Sequence, residues 1–489
     1  MTLQNKSRWP VIIYDDREVV EPPLSSIVGH RGFGSVRVRN QSLFARLRGA
    51  LPDWAQGQLV RVTGTTQLHS PENALPHLSD ANGVILIAAR GAVLDPEGFA
   101  QQVERLALAD RSIVDRRRHP LIRGFVTVAD FLDEWEAFAE RPLHIKPGEW
   151  TEPALFAEPH ALVDISDRSR FLDFIAGATS PREFNQIQID PLVYVKRSTD
   201  KAKLKAEHDY YSLIPAQMKP WMVGAYNYTD AGDTAQYEMP RRFYADAAIQ
   251  WIHNAWDITT FGRFLDRIFA FLDGRPTRAV SRDVIEEMTR RLYIDKVRER
   301  FDLLQNSDRG AQILALLRAS KGGHALLGAY DTYFERVERQ WSTLRGADQL
   351  AIGHGDPCLS NILYDDSSLT LQLIDPKGAT DEAQLWTHAL YDYAKLSHSI
   401  LGDYDFINNR LFRIELKEDA RLDLTLLEKT RAAFKAEFRN RIAERMDYDV
   451  LRLAEASLFL SMLPLHLDHL DKVAAFLMRA NAILAEQKH

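Results

Sequence analysis

Hydrophobic and polar positions follow three textures along the chain. Up to residue 165, short apolar runs such as "PVIIYDD" and "NGVILIAARG" end in polar residues or Gly, the pattern of buried strands. Among them, "PEGFAQQVERLALAD" and "TVADFLDEWEAFAE" carry apolar residues at helical spacing, with Asp110 and Gly124 near their ends. Alternating strand and helix signals predict a small α/β domain over 1–165. The Pro-rich "HIKPGEWTEPALFAEPHAL" predicts an extended crossing segment.

Over 166–244 the signals become strand-rich. "EFNQIQID" and "PLVYVKRS" meet at a Pro, and "DKAKLKAEHDYYSLI" predicts a helix with Asp200 as N-cap. "WMVGAYNYTDAGDTAQYEMP" predicts two strands joined by a turn at "TDAGD". From 245 to 489 helical spacing dominates. In "DITTFGRFLDRIFAFLDG", Phe261, Phe264, Leu265, Ile268 and Leu272 share one face and Gly274 stops the helix. "LLEKTRAAFKAEFRNRIAERM" and "LRLAEASLFLSMLPLHL" predict further helices. Short strands at "LAIGHGD", "ILYDD" and "LQLID" interrupt this helical region, and no internal repeat or low-complexity segment occurs.

Composition narrows the function classes. A chain of 489 residues needs more than one core, and 45% hydrophobic with 26% charged residues suits a soluble globular protein. The net charge of −7 argues against non-specific nucleic-acid binding. A single cysteine, Cys358, excludes an intrachain disulfide or a multi-thiolate metal site. The start carries no long apolar leader, and the longest apolar runs are roughly half of a membrane span. The expectation is a cytoplasmic protein without membrane insertion or nucleic-acid partner.

The densest chemistry is in "GHGDPCLSNILY" and "LIDPKG". Phosphoryl transfer needs a divalent ion on the phosphates, a cation beside them and an oriented acceptor hydroxyl. Asp356 is a candidate to orient and deprotonate that hydroxyl. Asn361 on the same loop and Asp375 at the end of a strand offer the hard oxygen ligands that suit Mg²⁺. Taken singly, each of these is an ordinary turn or strand-end residue; the spacing with strand signals between them is what points to chemistry. Cys358 reads as a packed loop residue, and His466 with His469 as structural helix histidines. Asp15 and Asp16 form a strand-end acidic pair that is either structural or metal-binding.

These two stretches resemble the catalytic and metal loops of the aminoglycoside phosphotransferase and choline kinase family, which shares the protein-kinase-like fold. Within it the chain looks most like bacterial phosphotransferases associated with capsule and surface-polysaccharide genes, through "FNQIQID", "VYVKRSTDKAKLKAEHDYYSLIP", "YEMP" and "YDYAKLSHSILGDYDFIN". The resemblance implies an α+β, bilobal protein-kinase-like fold, with a small β-rich N-lobe (166–244) and a large helical C-lobe (245–489), preceded by the α/β domain. It implies Asp356 as catalytic base, His354 as brace of the catalytic loop, and Asn361 and Asp375 as metal ligands. Lys196 becomes the phosphate-contacting lysine, Glu207 its ion-pair partner, and Glu238 and Met239 the hinge against adenine. Asp392 becomes the anchor of the catalytic loop. The phosphate-covering loop has only Gly177, so Thr179 and Ser180 are its candidate phosphate contacts. Pro376-Lys377-Gly378 stands where the family often has Trp after the metal-binding Asp. The implied cofactors are ATP and Mg²⁺, and the implied partner is a small-molecule hydroxyl acceptor, a sugar or amino alcohol of a surface glycan. "IIYDDREVVEPPLSSIVG" resembles the opening of sugar-phosphate nucleotidyltransferase-like domains but lacks their G-x-G-x-R signature, which favours a degenerate or structural domain. A nucleotide-binding pseudokinase and a bifunctional kinase/nucleotidyltransferase are the alternatives.

Overall fold

The computed structural model describes residues 9–38, 40–64, 78–114, 120–140, 161–177, 185–189, 192–319, 321–417, 422–427 and 432–486. The fold is mixed α and β, and the chain divides into two compact units. One comprises residues 1–179 with 253–255, the other 180–252 with 256–489.

The first unit is built on a five-stranded sheet. Its strands are β1 (Val11–Asp15), β2 (Leu59–Val62), β3 (Val84–Ala88), β4 (Ile113–Val114) and β5 (Ile122–Phe125), in spatial order β2-β1-β3-β5-β4. β1 runs parallel to β2 and β3, while β5 is antiparallel to β3 and to β4. Every residue of β1 and β3 is buried, which explains their unbroken apolar runs: such strands have no solvent face to mark with polar residues. Helix α1 (Pro96–Ala107) is capped by Asp95, whose carboxylate accepts from Glu97 N, and buries Phe99, Val103 and Leu106. The acidic pair ending β1 is bound by arginines. Asp15 takes a two-pronged contact from Arg17 at 2.7 and 2.8 Å; Asp16 accepts from Gly34 N at 2.7 Å and Arg61 Nε at 2.9 Å. The Pro-rich segment from His144 to His160 lies outside the described residues.

The second unit opens with an antiparallel sheet of β6 (Asn185–Ile189) and β7 (Val193–Ser198). Helix α2 (Lys201–Leu213) follows, with the Asp200 carboxylate accepting from Lys203 N as its cap. β8 (Tyr226–Ala231) and β9 (Thr234–Pro240) complete the order β6-β7-β9-β8. On α2, Leu204, Glu207 and Tyr210 recur every three residues and form its buried side; Leu204 packs with Ala235 and Tyr237 of β9.

The rest of this unit is a helical body with one large core. Helix α3 (Ile258–Asp273) is capped by Asp257 and buries Phe261, Phe264, Leu265, Ile268 and Leu272. Its aromatic face meets Trp256, whose ring is stacked 4.8 Å from Phe264, and Tyr364, edge-on at 5.3 Å. A π-helical turn, Arg291–Asp295, leads into α4 (Lys296–Asn306). Strand β10 (Gln349–Ile352) and the hairpin of β11 (Ile362–Asp365) with β12 (Thr370–Leu373) lie in this body. Helices α5 (Leu390–Ile400), α6 (Tyr448–Met462) and α7 (Leu470–Glu486) complete it. One expectation needs amending: "LLEKTRAAFKAEF" is not helical from its start. Phe412–Leu416 and Leu422–Leu426 form an antiparallel pair, and the helix begins at Ala432. "FRIEL" and "LDLTL" alternate with the period of two that a strand requires, and that signal was overlooked. Among the described residues no group of three or more His, Cys, Asp or Glu side chains is placed to hold a metal; His469 Nδ1 meets Arg410 Nη2 at 2.7 Å, and His466 packs edge-on against Phe476.

Phe264 has no exposed surface and joins α3 to Trp256 and Tyr364. Phe264→Ala is expected to destabilise this unit by about 3–5 kcal/mol. A urea unfolding midpoint followed by tryptophan fluorescence checks this, with exposed Leu303→Ala as a near-neutral control.

Candidate active site

The site grows from the loop that follows β10. Its shape is dictated by a carboxylate with no exposed surface, Asp392 on α5. Oδ2 accepts from His354 N and Oδ1 from Gly355 N, both at 2.9 Å, and Arg275 Nη1 donates to Oδ2 at 2.7 Å. Arg275 is itself fixed by the carbonyls of Leu272 and Ala389. The Asp–Arg pair is buried, but its hydrogen-bonding capacity is satisfied, the condition under which a buried ion pair is tolerated. Gly355 has φ +83°, and a Cβ there would lie 2.5 Å from Lys377 Cβ, so this turn requires glycine.

Helix α5 reads the loop along one face. Asp392, Lys395 and Ser399 stand three and four residues apart, so they share a side of the helix. Asp392 holds residues 354 and 355. Lys395 Nζ lies 2.9 Å from Asp356 Oδ1, and Ser399 Oγ accepts from Leu359 N at 3.2 Å. In the Asp356–Lys395 pair, 40% of the Asp356 side chain is exposed. Burial tends to raise the Asp356 pKa, but Lys395 outweighs it and holds the carboxyl below its ordinary range.

His354 is buried; its Nδ1 accepts from Asp356 N at 3.3 Å and its carbonyl from Lys377 N at 2.8 Å. Burial lowers its pKa, so the ring is neutral. Asn361 Nδ2 donates to the Asp356 carbonyl at 2.9 Å, which leaves Oδ1 as its free acceptor. Ile374 N donates to the Asn361 carbonyl at 3.0 Å, so the hairpin delivers Asp375 beside Asn361. Asp375 has φ +54°, an unusual conformation for a residue with a Cβ and one concentrated at functional positions.

Lys196 on β7 completes the cluster. Its Nζ lies 2.6 Å from Glu207 Oε2 on α2 and 3.0 Å from Asp375 Oδ1. Lys196 and Glu207 are buried, while 41% of the Asp375 side chain is exposed. Burial opposes the charge on Lys196, but the two carboxylates raise its pKa and keep it an ammonium. Glu207 has a second cation, Lys203, 3.9 Å from its Oε1, whereas Asp375 shares Lys196 and keeps an exposed side toward solvent beside Asn361. That donor set, one carboxylate and one amide oxygen with room for water and phosphate oxygens, fits Mg²⁺. Gly378, at φ +91°, lets the chain pass against α2: a Cβ there would lie 2.6 Å from the Ala206 carbonyl carbon, and Ala379 N donates to Ala206 O at 2.9 Å.

The structure thus brings together Lys196, Glu207, His354, Asp356, Asn361 and Asp375. Glu238 and Met239 stand apart at the end of β9, paired in register with Val195 and Tyr194. The Glu238 carboxylate accepts from Asn227 Nδ2 at 2.7 Å, and Met239 packs on the Leu204–Tyr237 cluster. Thr179 and Ser180 lie outside the described residues. Cys358 is buried with its thiol pKa raised by desolvation, 3.3 Å from Ser360 Oγ, the state of a packed thiol. His398 is enclosed between Tyr404 and Phe459. Sequence reasoning missed Lys395 and Arg275. The D-x-x-K-x-x-x-S spacing on a helix was the available signal for Lys395; Arg275, 117 positions from Asp392, had none.

No protein-family model matches the chain, and no curated protein matches it. Among solved structures, it is similar to the apo form of a thermostable mutant of aminoglycoside phosphotransferase APH(4)-Ia, at 12% identity and TM-score 0.39, over 63% of this chain and 92% of that one. A variant of that enzyme in ternary complex with AMP-PNP and hygromycin B gives 13% identity, TM-score 0.39 and the same coverages. Aminoglycoside phosphotransferase APH(3'')-Id from Streptomyces rimosus ATCC10970, in complex with ADP and streptomycin, gives 17% identity and TM-score 0.31 over 56% of this chain and 86% of that one. At these TM-scores the likenesses assign no activity.

Two measurements follow from this geometry. Asp392→Ala strands the Arg275 guanidinium and two loop N–H groups, with an expected loss of about 3–5 kcal/mol in thermal or urea unfolding. Asp405, on the short helix Tyr404–Asn408, is buried, and desolvation pushes its pKa up to about 7, with Asp246 adding to the rise and Ser399 opposing it. The folded protein therefore keeps this proton up to about pH 7, while the unfolded chain releases it near pH 4. Its contribution to stability falls as pH rises through that window and stays low above it. Asp405→Asn is expected to raise the unfolding midpoint relative to the parent at pH 8, by an amount on the order of a few kcal/mol, and to leave it unchanged at about pH 4.

Proposed function

We propose that the second unit is an ATP- and Mg²⁺-dependent small-molecule kinase that phosphorylates an alcohol. The observation that carries this reading is the Lys196–Glu207–Asp375 cluster set against the loop bearing Asp356 and Asn361. Lys196 would contact the phosphates, held extended by Glu207. Asn361 and Asp375 would hold Mg²⁺, which supplies charge neutralisation on the phosphate oxygens. The acceptor hydroxyl oxygen would sit against Asp356. As the new O–P bond forms and the bond to the β-phosphate oxygen breaks, ADP leaves and the hydroxyl proton passes to Asp356 and then to solvent.

The depressed pKa of Asp356 fits a loose transition state, in which the hydroxyl stays protonated until late and needs orientation more than early deprotonation. Lys395, beside the base, is placed to meet charge on the transferred phosphoryl group. Glu238 and Met239 would offer backbone groups to the adenine edge. The acceptor, in this reading, is a polar hydroxyl metabolite used in a surface glycan, a context supported by the sequence resemblance. A pure nucleotide holder has no use for an ion-paired carboxylate at the acceptor position, which weighs against a pseudokinase.

ADP formation from Mg-ATP by the full chain, with an acceptor panel, tests the reading. Asp356→Asn is expected to lower kcat by about 10²–10⁴-fold with Mg-ATP affinity retained. Asp375→Ala is expected to lose Mg-dependent nucleotide binding in calorimetry. An unchanged rate in the first variant removes Asp356 from catalysis, and unchanged Mg-ATP affinity in the second removes Asp375 from the metal site.

A further inference from the structure

Cations gather around the acceptor side of Asp356, and they come from three separate segments. Lys395 on α5 is ion-paired with Asp356 itself at 2.9 Å. One turn earlier on the same helix, Tyr391 is buried, and Lys296 Nζ at the start of α4 donates to its hydroxyl at 2.6 Å. Because the Tyr391 oxygen accepts from Lys296, its own O–H proton is available to a further acceptor. Lys377 packs its stem against Gly355, next to Asp356, and stands in the electrostatic range of Lys296, Arg291 and Tyr391.

The charge balance here differs from that at Lys196. The carboxylates nearest this cluster are already committed: Asp356 to Lys395, Asp375 to Lys196, Asp392 to Arg275. Among the described residues, neither Lys296 nor Lys377 is in an ion pair. Two ammonium groups therefore share one region in which no carboxylate among the described residues is within ion-pair distance of either. Like charges at close range are unfavourable unless a counter-charge arrives. Lys296 is placed there by the π-helical turn Arg291–Asp295, a local irregularity of the kind that recurs at functional sites.

We propose that Lys296, Lys377 and the Tyr391 hydroxyl form a subsite for an anionic group on the acceptor, a carboxylate or phosphate ester carried by the same molecule as the reacting hydroxyl. This rests on the kinase reading and narrows it: the acceptor is an acidic alcohol such as a sugar acid or a phosphorylated polyol, not a polycation. A polycationic acceptor would bring ammonium groups against Lys296 and Lys377. An anion gains charge-assisted hydrogen bonds from both lysines and a third from the phenol. The anion would then fix the molecule so that its hydroxyl rests on Asp356.

The test uses the full chain with Mg-ADP in saturating amount, so that the nucleotide phosphates are already in place. Binding of galacturonate, glycerate and glycerol 3-phosphate is measured by calorimetry, against neutral galactose and glycerol and cationic kanamycin. At least one anion is expected to bind about tenfold or more tightly than its neutral counterpart. The carboxylates and the phosphate ester separate the two anion chemistries. Lys296→Met, at a half-buried position, and Lys377→Met, at an exposed one, are expected to abolish that preference while leaving Mg-ADP affinity within about twofold of the parent. In turnover the same variants are expected to raise the acceptor KM and spare the KM for ATP. Equal or weaker binding of all three anions relative to their neutral counterparts, or a preference that survives in the double variant, overturns the proposal. Anion binding without ADP formation from Mg-ATP would retain the subsite and sink the kinase reading. ADP formation on neutral or cationic acceptors alone would do the reverse.

Discussion

A carboxylate removed from all solvent must be met on every side, and Asp392 meets that demand by gripping the backbone of the loop at residues 354 and 355. Everything the site does depends on this. The loop hangs from α5, and α5 is packed into the helical core through Leu390, Tyr391, Ala394, Leu396 and Ile400. Arg275 couples the same carboxylate to the end of α3. The aromatic core around Trp256 and Phe264 thus sets the position of Asp356 although it touches none of the reacting groups. Rigid elements carry the charge-bearing side chains, and the loop only spans the gap between them.

The elements around the site were legible because their signals are local. Asp200 as a cap, the hairpin of β11 and β12 and the aromatic stripe of α3 all lie within short windows. The pairing of Lys196 with Glu207 was instead what the family resemblance implied. What was not legible depends on distance along the chain. Nothing near Arg275 marks it as the partner of Asp392, and nothing near Lys296 marks it as the neighbour of Tyr391, 95 positions later. Lys395 is the intermediate case: its spacing from Asp392 was on view, but the residue it meets was not. The strand pair at 412–426 carries a period of two that no expectation for the largely helical 245–489 region included.

Charge is distributed unevenly around the loop. On the Lys196 side two carboxylates, Glu207 and Asp375, meet two lysines, Lys196 and Lys203, whereas Lys296 and Lys377 are in no ion pair among the described residues. The Asp356–Lys395 pair is internally neutral.

Gly378 has a mechanical consequence. With no side chain there, the segment after Asp375 is seated directly on α2, and Ala379 is hydrogen-bonded to Ala206, the residue before Glu207. The carboxylate that would hold the metal and the carboxylate that holds Lys196 are therefore hitched to one another through the backbone. A swing of α2 that pulled Glu207 off Lys196 would drag the Asp375 segment with it. Parting that ion pair without also shifting the Asp375 segment would require breaking the Ala379–Ala206 hydrogen bond.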